Sequence, residues 1–299
     1  MGVLISDSGS IDQDIKDFID MKRTNVSVKY LNYCAKSRNA PLSAKLDVLE
    51  VCASSSIIYA CETWGKCSDS AEQLYRSGLR IAMDIRDNIN NEIVYIESGR
   101  HPLECRIKKL QHKFWTYSKE YMIENPESAL AKVLSAAIED NVHIIRYYKD
   151  LDTKFETPES CQNSLRNNFE IKWRNKFSEE NDSNSRLGTY YDINPELKPW
   201  VPIPQNMMES ERKIITRFRT GSHSLNIEIM RYSNIERERR LCTCKNGVQN
   251  IWHVFMECPL TTGINTRHYQ NLKEIFEDDN LHSKLINIST RLKIPLGRI

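Results

Sequence analysis

Little in this chain breaks a helix. Its 299 residues include only 10 glycines and 10 prolines. That is too few for the many tight turns of a barrel or sandwich of short strands, so long helices are expected. No apolar run approaches the ~18–20 residues that span a bilayer. No basic segment followed by an apolar core opens the chain, so neither a membrane span nor a secretory signal is expected. An excess of one charge is missing too, since 42 Lys and Arg against 40 Asp and Glu leave a net charge of +2. Any basic surface must therefore come from local clustering. The cysteine count of nine is odd, and Cys34, Cys52, Cys61, Cys67, Cys105 and Cys161 are scattered. That excludes the even framework of a disulfide-stapled secreted domain. A reducing compartment, nucleus or cytoplasm, is expected, with the scattered thiols serving as small core residues. Internal repeats and low-complexity tracts are lacking. The 40% hydrophobic and 27% charged content is that of a folded globular chain, not a disordered one.

What is present is a run of amphipathic segments. Val3 to Ile5 reads as the tail of a strand, although Gly2 with Ser6 also fits an N-myristoylation pattern. Ser10 with Gln13 forms a capping box that opens a first helix. Further helices are expected over 43–64, 70–85, from His101-Pro102 onward, 127–149, 160–180 and 207–219, then from Gly221 to near Tyr232. The helix from His101-Pro102 carries Leu103, Ile107, Leu110, Phe114 and Tyr117 on one face, and Arg106, Lys109 and Lys113 on another. Residues 88–99 read as a connector with a short apolar run, Ile93 to Ile96, and Leu197 to Pro204 as an extended linker anchored by Trp200. The tail is helical in pattern over 262–276 and 281–292.

The densest chemistry lies between Arg239 and Pro259. Cys242, Cys244, His253 and Cys258 place four soft ligands within seventeen residues, with Gly247 at the expected turn. A structural zinc site needs four such ligands in a tetrahedron that a short loop can wrap. With all four positions filled by protein, Zn2+ would be structural, with no open position for catalysis. The contrary reading is that Cys244 and His253 merely pack. Around the cluster, Arg212, Lys213, Arg217, Arg219, Arg239 and Arg240 are basic, and Trp252 is aromatic. Cations that displace counterions and rings that stack on unpaired bases suit nucleic acid, although Glu209, Glu211, Glu228, Glu236 and Glu238 partly neutralise the patch.

Four stretches in order resemble one family. Gly2-Val3-Leu4-Ile5 followed by Asp7-Ser8-Gly9-Ser10 resembles the segment after the polymerase palm in non-LTR (LINE-type) retrotransposon reverse transcriptases. Ile58-Tyr59-Ala60-Cys61-Glu62-Thr63-Trp64 resembles the Tyr-Gly-Cys-Glu-Thr-Trp signature of their thumb. Glu97-Ser98-Gly99-Arg100-His101-Pro102-Leu103 with Arg106-Ile107 resembles a later thumb element. Phe218-Arg219-Thr220-Gly221-Ser222-His223 resembles the Leu-Arg-Thr-Gly-His segment before their Cys-Cys-His-Cys motif. One departure is the single Thr243 between the first two cysteines, where the family has two or three residues.

The resemblance implies RNA-directed DNA polymerase ancestry, with the palm and its magnesium-binding aspartates upstream of Met1. The only adjacent aspartates, Asp278 and Asp279, close a charged helix and show no hairpin pattern, so Mg2+ is not expected. The expected fold is mainly α, in three parts: the end of the palm and a helical thumb-like bundle over 1–125, a helical connector over 126–205, and a small C-terminal zinc-knuckle-like segment with a basic helix over 206–299. As a fragment the chain would bind RNA or an RNA–DNA duplex, through Arg106, Lys109 and Lys113 and through the zinc-type element, without polymerase activity of its own. Target DNA and a separate palm-containing chain are further candidate partners. The alternatives are a repurposed helical interaction protein and a decayed copy.

Overall fold

The computed structural model describes residues 36–63, 68–140, 143–179, 185–199, 207–231, 233–265 and 267–296, with positions 17, 21, 25, 26 and 29–34. The strand tail over 3–5, the Gly2 pattern, the capping box at Ser10 and Gln13, Trp64, the linker from Trp200 to Pro204 and Tyr232 lie outside the described residues. The fold is mainly α, and among the described residues no strand forms. Extended pairing is confined there to one isolated antiparallel bridge, Leu241 to Val248.

The chain divides into two compact units. The first comprises Met1–Tyr33, Asp47–Gly78 and His101–Trp173; the second comprises Cys34–Leu46, Leu79–Arg100 and Arg174–Ile299. Each unit draws on three separated stretches, so the units interleave in sequence and differ from the three consecutive parts expected.

The first unit is built along the helix Leu103–Glu124. Pro102 stands just before it in extended backbone and offers no side-chain cap. The two free N–H groups of Leu103 and Glu104 donate instead to the Glu72 carboxylate, at 3.1 and 3.3 Å. An acceptor of negative charge at this end also complements the helix dipole. Leu103 and Ile107 are buried as expected, but Phe114 and Tyr117 are exposed and the buried stripe continues through Gln111, Trp115 and Ser118. Steps of four residues, then one of three, carry that stripe. Its polar members are satisfied where partners exist: Gln111 Nε2 donates to the Cys61 carbonyl at 2.7 Å, and the His112 ring bonds the Phe155 carbonyl at 3.0 Å. Trp115 stacks on Tyr148 with ring centres 5.5 Å apart.

The single helix expected over 127–149 is two, Ala129–Glu139 and His143–Lys154; Ser128 caps the first by accepting from the Ala131 N–H. The helix expected over 43–64 also differs. It runs as α-helix over Leu42–Val48, widens to a π-helical turn over Leu49–Ser54 and stops as α-helix at Ile57.

The second unit packs around Ile215, Phe218, Leu225, Val254, Phe255, Leu281 and Leu285. Its helix Asn91–Ser98 replaces the expected connector, and every residue from Ile93 to Ser98 is buried. A segment covered on all sides shows no polar face, which is why periodicity hid it. Gly99 ends it at φ 66°, in the left-handed region open to glycine. A further unexpected helix, Arg186–Ile193, is capped by Ser185, which accepts from the Gly188 N–H. The basic helix appears as Glu209–Thr220, ended by Gly221 at φ 74°. The expected helix toward Tyr232 shortens to Asn226–Ile229. In the tail, Leu272–Phe276 and Leu281–Leu292 are helical.

Candidate metal centre

The backbone around the cluster is a small hairpin followed by a helical turn. Cys242 N–H donates to the Gly247 carbonyl at 2.8 Å, and Gln249 N–H to the Arg240 carbonyl at 2.9 Å. Lys245 turns the hairpin at φ 62°. Lys245 N–H donates back to the Cys242 carbonyl at 2.8 Å, so Cys242 to Lys245 form a tight turn that brings Cys242 and Cys244 together. Asn250 then opens the helical turn, its Oδ1 accepting from His253 N–H at 2.7 Å. The stretch His253–Glu257 is π-helical. Its closing bond runs from Cys258 N–H to the His253 carbonyl at 2.8 Å, five residues back. The wider turn returns Cys258 to the level of His253.

The four ligand atoms of Cys242, Cys244, His253 and Cys258 lie within 4.8 Å of one another, and the group can hold a metal ion. Cys242 and Cys258 Sγ are 3.7 Å apart. This is far beyond a disulfide bond of about 2.05 Å. Two sulfurs bound tetrahedrally at about 2.3 Å would stand about 3.8 Å apart. His253 Nε2 faces Cys244 Sγ at 3.2 Å, while its Nδ1 meets a Glu257 carboxylate oxygen at 3.3 Å. A proton on Nδ1 donated to Glu257 leaves the Nε2 lone pair free to ligate. Two donors reach the sulfurs: Asn246 N–H to Cys244 at 3.4 Å and Gln249 Nε2 to Cys242 at 3.7 Å. Burial alone would raise the Cys242 thiol, but hydrogen bonds from Cys244, Cys258 and His253 bring it down to about 7. Burial and the neighbouring Cys242 and Cys244 push Cys258 up to about 11.

The scattered thiols behave otherwise. Cys61 and Cys105 are buried, and burial followed by a neighbouring carboxylate, Glu62 and Glu104 respectively, pushes each up to about 12. They stay protonated core residues.

The expected nucleic-acid contacts fare unequally. Arg212, Arg217 and Arg219 are buried, and this corrects their assignment to a phosphate-facing surface. Arg212 pairs with Glu209 at 2.8 Å, Arg217 with Asp84, and Arg219 with Glu97 at 2.8 Å. Arg219 and Glu97 are 7% and 2% exposed, so neither charge can leave the other without a large desolvation cost. Lys213 donates to the Arg38 carbonyl, and Arg240 to the carbonyls of Ile235 and Ile227. In the first unit Arg106 is tied to the Glu50 carbonyl and Ser54 Oγ, and Lys109 to Glu159. Lys113 and Arg239 are exposed, and Trp252 is half-buried.

Asp278 accepts from Lys284 at 2.8 Å and from the Tyr269 hydroxyl. Burial alone would raise its carboxyl, yet these bonds hold it below the usual range. Sequence reasoning placed Gly247 at the turn but missed Gln249, Asn250 and Glu257, which support the cluster. Asn250 three before His253 and Glu257 four after it were the available signals.

Among the described residues no helix is long and apolar enough to cross a membrane. Comparison with protein-family models, with curated proteins and with solved structures found no match for the chain.

Proposed function

We propose that the chain is a nucleic-acid-binding helical protein of the kind found in the thumb and C-terminal region of LINE-type reverse transcriptases, with a structural zinc ion held by Cys242, Cys244, His253 and Cys258. The convergence of the four ligand atoms within 4.8 Å carries the reading. Three sulfurs and one imidazole are the donor set zinc favours over calcium or magnesium. The ordered motif resemblances supply the polymerase ancestry. Two of them also meet in the second unit, where Arg219 of the fourth pairs with Glu97 of the third. RNA or an RNA–DNA duplex is the proposed partner, with Lys113, Arg239 and Trp252 the accessible contacts.

Elemental analysis of the purified chain should give one zinc per molecule, with Cys258→Ser giving less than half. Binding to RNA should weaken with salt, as phosphate contacts release counterions. Primer extension by the chain alone should give no product. A metal-free chain would overturn the zinc centre, absence of RNA binding the partner, and templated synthesis the non-catalytic role. A helical interaction protein without a nucleic-acid role is the second reading. It is favoured by one observation, that the three buried arginines Arg212, Arg217 and Arg219 are each committed to a carboxylate of the chain.

A further inference from the structure

Beside the metal centre lies a cavity of ≈ 480 Å³ whose lining includes Arg237, Asn250, Trp252, Gln270, Asp192 and Ile227. We infer that it is a slot for one unpaired nucleobase of a single-stranded nucleic acid, an inference that rests on the nucleic-acid reading above and names the form of the ligand. The volume falls within the range of about 300–1,000 Å³ usual for small-molecule sites.

Four features point to a base. Trp252 stands between Ile251 and His253, which are 3% and 2% exposed. Its indole is half-buried, so its neighbours fix it while part of the ring stays accessible. A ring held in place gives a stacking platform at low entropic cost. Arg237, on the turn Arg237–Arg239, has a guanidinium Nε shielded from solvent with no hydrogen-bond partner. Such a group is costly unless something accepts from it, and a phosphate oxygen or a base carbonyl does so. Asn250 spends its Oδ1 on the His253 N–H. Its Nδ2 makes no hydrogen bond to another described residue and can donate to a base edge, beside the exposed amide of Gln270. Ile227 and Ile251 give the wall an apolar part.

The Asp192 carboxylate on the same wall disfavours a second phosphate inside the slot. Duplex bases fit poorly, because their faces are stacked and their edges paired.

Anisotropy with the zinc-loaded full chain compares four ligands: a labelled single strand, the same sequence as a duplex, an abasic strand of equal length, and AMP as competitor. The single strand should bind at least about tenfold more tightly than the abasic strand, since one stacked base contributes that much. Trp252→Ala should remove that preference and Trp252→Phe keep most of it. Arg237→Gln should weaken the single strand and lower the slope of log affinity against log salt by up to about 0.7. Zinc content and melting of each variant report whether it folds. If the wild type binds the strand and Trp252→Ala binds it equally, the slot is wrong while the nucleic-acid reading stands. If no nucleic acid binds, that reading falls and the slot with it. Competition by AMP as strong as by the strand would overturn the strand in favour of a free nucleotide.

Discussion

At Gly247 one missing carbon bears directly on the candidate metal centre. A Cβ there would lie 3.0 Å from His253 Nδ1 and 3.2 Å from its Cε1. The ring would have to shift, and with it the hydrogen bond from Nδ1 to Glu257. Disturbing the partner of a ligating histidine costs about 10–100-fold in metal affinity. Gly247→Ala is therefore expected to bind zinc at least about tenfold more weakly, read by competition with a chromophoric chelator. His223 offers a second test at this scale. Burial, then the charges of Arg186, Arg86 and Arg231, hold its imidazole down at about 3. Its Nδ1 accepts from Leu225 N–H and its ring stacks on Phe218, so the folded chain holds it neutral. With the folded value below the unfolded one of about 6.5, its contribution is complete above pH 6.5. It is lost as pH falls toward 3, by up to about 1.4 kcal/mol per unit. Urea melts of wild type and His223→Gln should converge by about 2 kcal/mol between pH 7.5 and 4.5, acid loss of zinc being common to both. The ligand quartet was legible because its geometry is local. The fates of Arg217 and Arg219 were not, because a positive charge does not announce a carboxylate more than a hundred residues away.

Between elements, the pair of Arg219 and Glu97 joins the helices Glu209–Thr220 and Asn91–Ser98. Tyr190 adds a third helix by donating to the same carboxylate at 2.8 Å. Arg219→Met leaves Glu97 charged and buried, with an expected loss of about 3–5 kcal/mol. The double variant Arg219→Met with Glu97→Leu should recover more than half of that in chemical denaturation. Helix ends are a gentler test. Gly221 and Gly263 both have positive φ, 74° and 86°, but a Cβ at Gly221 would meet Arg186 at 3.0 Å and one at Gly263 would meet nothing. Gly263→Ala should cost about 1 kcal/mol from backbone strain alone, and Gly221→Ala measurably more. Helices with one wet face were visible in the sequence; Asn91–Ser98, buried at every residue from Ile93 on, was not. The π-helical turns at Leu49–Ser54 and His253–Glu257 were equally hidden, because one added residue per turn leaves no mark in composition.

Across the whole molecule, the second unit is closed by contacts its sequence neighbours cannot supply. Residues 206–299 contain Arg219 and Glu228, but their partners Glu97 and Arg186 lie before residue 206 in that unit. A fragment of 206–299 is expected to bind zinc through its local ligands yet to unfold without a cooperative transition, checked by circular dichroism during thermal melting. The helical class was plain from few glycines and prolines. The interleaving of the units was not, since no linear feature marks which distant helices share a core. The ion pair of Lys45 with Glu209 belongs to this same unit and is buried, at 2.7 Å. The two residues are 164 positions apart. At a synthesis rate of about 5–20 residues per second, Lys45 leaves the ribosome roughly 8–30 seconds before its carboxylate does. For that interval Lys45 has, of the Arg38 carbonyl and Glu209, only the first, and its ion pair can form no sooner than translation delivers Glu209.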